Sequence, residues 1–231
     1  MVTNSKLKSL TQALILSLAL IGCTGDSLRE PAMKAAALVG SAKAKAELLD
    51  QPTGPVYSLM IEEAMIMPDF TNEQITSVCA LAFFNELSEQ QRSSNCFVRV
   101  NISQDGEAPL QATYTSEELT TADRCIENAA TFLSWHPSMG IDSIRPAIDA
   151  SFFPDSSLEF IGQSILAQDT ADNRWMRTEI MGFRHDTIAK IPVLVLNAKS
   201  IRKQQTQWYD VYARYSTQQL IFVSAKLDKT K

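Results

Sequence analysis

The chain has 231 residues, 45% of them hydrophobic and 20% charged, with only 8 Gly and 9 Pro. That composition excludes collagen-like, low-complexity and wholly disordered chains, and the length suits one ordinary domain with appendages or two small ones. The formal net charge is −5 and the chain holds 2 His, so bulk charge argues against a nucleic-acid partner and histidine-based metal or acid/base chemistry has little to draw on.

The chain begins MVTNSKLKSLTQALILSLALIGC, with Lys6 and Lys8 ahead of an apolar run, Ala13 to Ile21, broken only by Ser17. A helix needs about 20 apolar residues to span a bilayer, so this shorter run reads as the core of an export signal. The residues Leu20-Ile21-Gly22-Cys23 that end it resemble the lipobox of bacterial lipoproteins. The resemblance implies that residues 1–22 are a signal peptide cut before Cys23. It also implies acyl chains such as palmitate on the Cys23 sulfur and on the new amino group. Thr24, where Asp would favour inner-membrane retention, implies an outer-membrane lipoprotein facing the periplasm if the envelope is Gram-negative. The partners this implies are the membrane, through the N-terminal lipid, and an envelope protein or cell-wall component. Each buried CH2 adds about 0.8 kcal/mol, so two or three chains on one residue make release negligible. Residues 23–33 then form the lipidated cysteine and a polar tether reaching roughly 33 Å at most, and 34–231 read as a single globular α+β domain.

Charge is unevenly spread along the mature chain. Residues 46–170 hold four arginines and no lysine against 19 acidic residues, a net of −15, whereas 171–231 carry 11 basic and five acidic residues, a net of +6. Attraction between acidic helices and a basic sheet within one domain accounts for this. A basic patch facing an anionic partner is the competing account.

In chain order, residues 34–49 are rich in strong helix formers and predict a helix. Gln51-Pro52-Thr53-Gly54-Pro55 breaks it. In 56–67, Tyr57, Met60, Ile61, Ala64 and Met65 fit a helical face. Residues 72–90 predict a helix capped by Thr71, with Gln74 at the capping-box position. CFVRVNI (96–102) alternates like a strand. Ser116 opens a helix to Trp135 whose Leu119, Ala122, Cys125, Ile126, Ala129 and Leu133 share a face, with Glu117 and Glu118 favourably placed in its first turn. A short helix over 141–150 and another over 155–168 follow. Residues 172–184 are ambiguous, with Trp175, Met176, Ile180 and Phe183 making a helical face. Three strands close the chain at 191–201, 207–216 and 219–227, with connections short enough for an antiparallel meander.

Helices first and a meander last imply an α+β fold, with N-terminal helices packed on a C-terminal antiparallel β-meander. The element order over roughly 115–227 resembles the ketosteroid-isomerase-like cone. That resemblance implies a shape and no activity.

With Cys23 acylated, Cys79, Cys96 and Cys125 remain. Outside the cytoplasm one disulfide is open to them, as Cys79–Cys125 or Cys79–Cys96, and three inert buried thiols are the alternative. No C-x-x-C, phosphate loop, dinucleotide fingerprint or zinc spacing is visible, and no cofactor or metal is expected. His185 followed by Asp186 could orient an imidazole, but no G-x-S-x-G elbow supplies a nucleophile, so no catalytic residue is assigned. Trp208, Tyr212 and Arg214 fall on one face of the 207–216 strand and form the candidate binding face for a sugar or peptide. The reading that follows is a membrane-anchored, non-catalytic binding or assembly module. The alternatives are a small envelope hydrolase using carboxylates or His185, and a carrier of an apolar ligand held between helices and sheet.

Overall fold

The computed structural model describes residues 27–66, 70–93, 95–168 and 173–226. Within the stretch that the sequence reads as one domain, contacts gather these residues into two compact units, 27–66 with 82–116, and 70–81 with 117–226.

In the first unit, α1 (Arg29–Ala37) precedes a hairpin of β1 (Lys43–Gln51) and β2 (Gly54–Glu62), which turns on Pro52 and Thr53. Both strands correct helices expected from the sequence. In β1 the exposed Lys43, Lys45 and Glu47 alternate with half-buried Ala44 and Ala46. The edge of a sheet therefore overrides the helix propensity of Ala, Lys, Glu and Leu, and the charges blunt that edge. In β2, Val56, Tyr57, Ser58 and Leu59 are all buried. The strand lies between two others and is covered on both faces, which erases the alternation that marks a strand.

The sheet order is β1-β2-β3-β4, with β3 at Phe97–Ile102 and β4 at Leu110–Thr115. β3 falls where the sequence places it, whereas β4 has no sequence counterpart; its Leu110, Ala112 and Tyr114 alternate over too few residues. β2 and β3 are parallel, so the chain needs a crossover. It includes the end of α2 (Asn72–Asn85) and the short α3 (Glu89–Ser93). Leu59, Ile61, Phe83, Phe84, Val98 and Val100 are buried in this unit.

The second unit holds the start of α2, then α4 (Ser116–Leu133), three 3-10 turns within 137–147, and α5 (Asp155–Gln168). The 3-10 turns stand where a short α-helix was expected. Thr71 and Gln74 form the reciprocal box that the sequence predicts: the Thr71 N–H donates to Gln74 Oε1 (3.0 Å) and the Gln74 N–H to Thr71 Oγ1 (3.2 Å). Leu119, Ala122, Cys125, Ala129 and Phe132 are the buried stripe of α4.

Four strands follow: β5 (Trp175–Ile188), β6 (Ile191–Arg202), β7 (Thr206–Arg214) and β8 (Leu220–Lys226), in the order β5-β6-β7-β8 and all antiparallel. Helices followed by this sheet make the fold α+β, as the element order implies. β5 resolves the ambiguous stretch 172–184. Its register shifts between Trp175 and Arg177 and again between Ile180 and Phe183. Each irregularity breaks the period of two, so the large side chains land at helix-like spacing along a strand. On one face of the sheet, Leu194, Leu196, Ala198, Val211, Ala213 and Leu220 are fully buried. On the other, Glu179 lies 2.6 Å from Lys199 and from Arg177. The Lys199 ammonium, helped by Arg177, holds the Glu179 carboxyl below its ordinary range.

Helix α2 fastens the outer edge of β5. The Ser77 hydroxyl donates to Phe183 O (2.8 Å) and accepts from the Phe183 N–H (2.9 Å), and the His185 N–H donates to Glu73 Oε1 (3.0 Å). Positions i and i+4 on a helix are separated by about 6 Å along its axis, and i and i+2 on a strand by about 6.7 Å. Two side chains of one helix face therefore reach alternate outward-facing backbone groups of the strand. At Gly182 (φ +123°) a Cβ would lie 2.3 Å from the carbonyl oxygen of Gln74, so only glycine lets the helix approach this closely.

Candidate functional site

A cavity of about 710 Å³ opens in the second unit between the end of α4, helix α5 and the sheet. Phe132, Leu133 and Trp135 reach it from the end of α4, Phe152 and Phe153 from the turn before α5, and Ile161 and Ile165 from α5. Tyr209, Phe222 and Val223 close it from the sheet. The size falls within the roughly 300–1,000 Å³ of small-molecule sites, and so does the makeup, mostly apolar and aromatic with few polar groups.

Polar groups line it from both sides: Ser134, His136, Ser157 and Ser164 from the helices, and others where β5 begins and β6 ends. Trp175 and Arg202 are ladder partners, and both line the cavity with Arg174 and the buried Ser200. The indole Nε1 of Trp175 is buried with no acceptor among the described residues. Arg202 Nη1 donates to Asn173 O (3.2 Å). Burial pushes the Tyr209 phenol up, while the charge of Arg202 acts in the opposite direction. His136 stands at the rim as the cap of the first 3-10 turn. Its Nδ1 accepts from the Ser138 N–H (3.2 Å), which leaves Nε2 as the proton-bearing nitrogen of the neutral ring. Among the described residues no carboxylate lines the cavity.

The residues singled out from the sequence lie elsewhere, Cys23 outside the described residues. Cys79, Cys96 and Cys125 are buried and none is in a disulfide. Burial pushes both Cys79 and Cys125 up to about 12, so neither is a nucleophile near neutrality. Trp208, Tyr212 and Arg214 do share one face of β7, and each is half-buried against its own unit. The ring of Trp208 meets Phe70 edge-on at 6.0 Å and has Lys199 over it at 5.7 Å. Tyr212 packs on Phe222 at 5.5 Å. Arg214 lies 2.9 Å from Asp149 and stacks over Phe152 at 5.6 Å.

His185 is flanked by carboxylates from two helices. Its Nδ1 is 3.5 Å from Glu73 Oε1 and its Nε2 3.8 Å from Glu118 Oε1. The neighbouring Asp186 accepts the Thr187 N–H instead (2.7 Å), as expected when adjacent strand residues point to opposite faces. Glu73 is the carboxylate that caps the β5 edge, so its closeness to His185 follows from that clasp.

The cavity residues Arg174, Trp175 and Arg202 were missed because their closeness depends on the β5–β6 register, which is hidden while 172–184 reads as a helix. The one available signal was Arg202 directly after the strand expected at 191–201, which the structure extends to include it. Compared with protein-family models, curated proteins and solved structures, the chain matches none.

Proposed function

We propose that the chain is a lipoprotein of the cell envelope whose folded part is a non-catalytic module that binds an apolar ligand in the cavity of its second unit. The cavity carries this reading: about 710 Å³ walled by aromatic and aliphatic side chains. Leaving such a surface wet costs roughly 25 cal/mol per Å² of apolar area, which an apolar ligand recovers. The lipobox supports the address. It gives an acylated Cys23, an outer-membrane location facing the periplasm, and a membrane partner that keeps the module near a lipid source.

Two experiments test the two halves. Growth with labelled fatty acid should label the wild-type chain and leave Cys23→Ser unlabelled; a labelled mutant would refute the anchor. Nile red, a neutral dye that brightens in apolar surroundings, should bind the purified protein. Ser164→Phe, which fills the cavity from α5, should abolish the signal. An unchanged signal would show that the dye sits elsewhere.

His185 between Glu73 and Glu118 supports a second reading, a small envelope hydrolase. Turnover of cell-wall or lipid substrates that is lost in His185→Ala would favour it over binding alone.

A further inference from the structure

We infer that the ligand is an extended, apolar-rich stretch of polypeptide that adds a strand to the open edge of β8 and places alternate side chains in the cavity. This rests on the cavity being a ligand site and names the class of ligand.

Three observations carry it. The first is where the cavity opens. Phe222 and Val223 both line it, although successive residues of a strand point to opposite faces of the sheet. The cavity therefore does not stay on the helix-covered face. It comes around the edge of β8, where Phe222 and Ala225 are exposed.

The second is the state of that edge. β8 is the last strand of its sheet, and the chain itself begins to pair with it. Ile148 forms a parallel bridge with Leu220, and the Asp149 N–H donates to Leu220 O (2.8 Å). The chain then turns away, as the N–H groups of Phe152 and Phe153 donate back to Asp149 O (3.0 and 3.1 Å). Among the described residues no strand continues the pairing along 221–226, so alternate backbone groups there face outward without a ladder partner. Edges that must stay unpaired are blunted with charge, as β1 is by Lys43, Lys45 and Glu47. β8 runs Ile221, Phe222, Val223, Ser224, Ala225 with no charge until Lys226. Such an edge binds a peptide through its backbone, and pockets for alternate side chains supply selectivity.

The third is the polar lining of an otherwise apolar space. Ser134 and Ser164 line the cavity from the helix side. Their hydroxyls donate to Thr131 O (3.3 Å) and Phe160 O (3.0 Å) and so keep lone pairs for an incoming N–H. A hydrocarbon chain would leave these groups unanswered. A peptide carries amides at regular intervals beside its apolar side chains and answers both kinds of wall.

The test is binding of a fluorescein-tagged peptide, Lys-Phe-Ser-Phe-Ser-Phe-Lys with blocked ends, to the full-length protein, read by anisotropy. The peptide should bind and should displace Nile red. Two further versions are N-methylated, one at the Phe amides and one at the Ser amides. Alternate amides of a strand point to opposite sides, so each version removes the donors of one edge only. One should bind at least tenfold more weakly than the other, and equal binding of the two would overturn strand addition. Phe222→Lys places a charge on the exposed edge and should leave urea-induced unfolding nearly unchanged. It should weaken the peptide at least tenfold, and undiminished binding would overturn the inference. Concentration-dependent dimerisation that is lost in Phe222→Lys would show a second copy of the chain on this edge and overturn the peptide as its occupant. Brightening of Nile red with no peptide bound would overturn the inference and leave the apolar cavity standing. Failure of the peptide and of Nile red alike would overturn the cavity reading and this inference together.

Discussion

The two halves of β5 are built to opposite ends. The half after the register shift is clasped: Phe183 is fully buried, and its backbone N–H and C=O are both taken by Ser77 of α2. The half before it is left open: Trp175 lines a cavity and its indole N–H has no partner among the described residues. One strand thus holds a close-packed edge and a wall of empty space. The shift between Ile180 and Phe183 lets the strand do both, because it resets which side chains face the helices. Space in a protein interior is costly, since interiors pack as densely as organic crystals. The clasp and the cavity thus share one strand, and the ways to break or sharpen the contrast follow from it.

The largest expected effect is at the clasp itself. In Gly182→Ala the new methyl would fall 2.3 Å from the Gln74 carbonyl oxygen, at a backbone φ of +123°. Strain in that region costs about 1–3 kcal/mol and a steric clash about as much again. A loss of about 3–5 kcal/mol in urea-induced unfolding is expected, and a loss under 1 kcal/mol would show that α2 does not hold the strand this closely. Ser77→Ala should cost less, about 2–3 kcal/mol, because it removes the partner of two buried backbone groups without moving the helix. A change within 0.5 kcal/mol, the usual range of a surface substitution, would refute the clasp.

The buried thiols sharpen the same contrast through pH. Cys79 and Cys125 are raised by burial to about 12, against about 8.5 for an exposed thiol. The unfolded chain gives up these protons first, so the folded state loses stability as pH rises between the two values. The expected slope is about 1.4 kcal/mol per pH unit for each thiol; below the lower value the contribution is intact. Urea denaturation at several alkaline pH values, repeated on Cys79→Ala and Cys125→Ala, would measure the slope and its reduction. In the native protein at neutral pH, alkylating reagents should leave Cys79, Cys96 and Cys125 untouched until urea is added. Rapid labelling of any of them would contradict their burial.

How far this was legible beforehand differs between the two sheets. The last three strands and the main helices could be read because each shows its own period over many residues. The Thr71–Gln74 cap stands where the sequence puts it, and so does most of the α4 stripe, with Phe132 buried where Ile126 and Leu133 are expected and only half-buried. Legibility failed where context overrides local pattern. β1 is written in helix-forming residues, β2 is apolar on both faces, β4 is short and β5 has a broken period. The site was less legible than the fold. Trp208, Tyr212 and Arg214 have the residue types of a binding surface, yet Arg214 is taken up by Asp149 and Phe152. Arg174, Trp175 and Arg202 come together only through a pairing between residues 27 positions apart, and no local rule reveals that.

The smallest effect is the most discriminating, because it asks whether the cavity is empty space at all. Ser164→Phe adds a ring on the cavity face of α5. It also removes a hydroxyl that donates to Phe160 O (3.0 Å), a back-bond that slightly disfavours helices. If the space is real, the ring enters it without displacing a neighbour, and the variant should match the wild type or gain up to about 0.5 kcal/mol. Ala129→Phe adds the same ring on the buried stripe of α4, where Ala129 is fully buried, and should cost about 1–3 kcal/mol by overpacking. Equal costs at the two positions would mean that α5 sits as tightly as α4 and that the cavity closes in solution. A gap of about 1 kcal/mol or more, with Ser164→Phe the milder, would show that the sheet keeps one end solid and the other hollow.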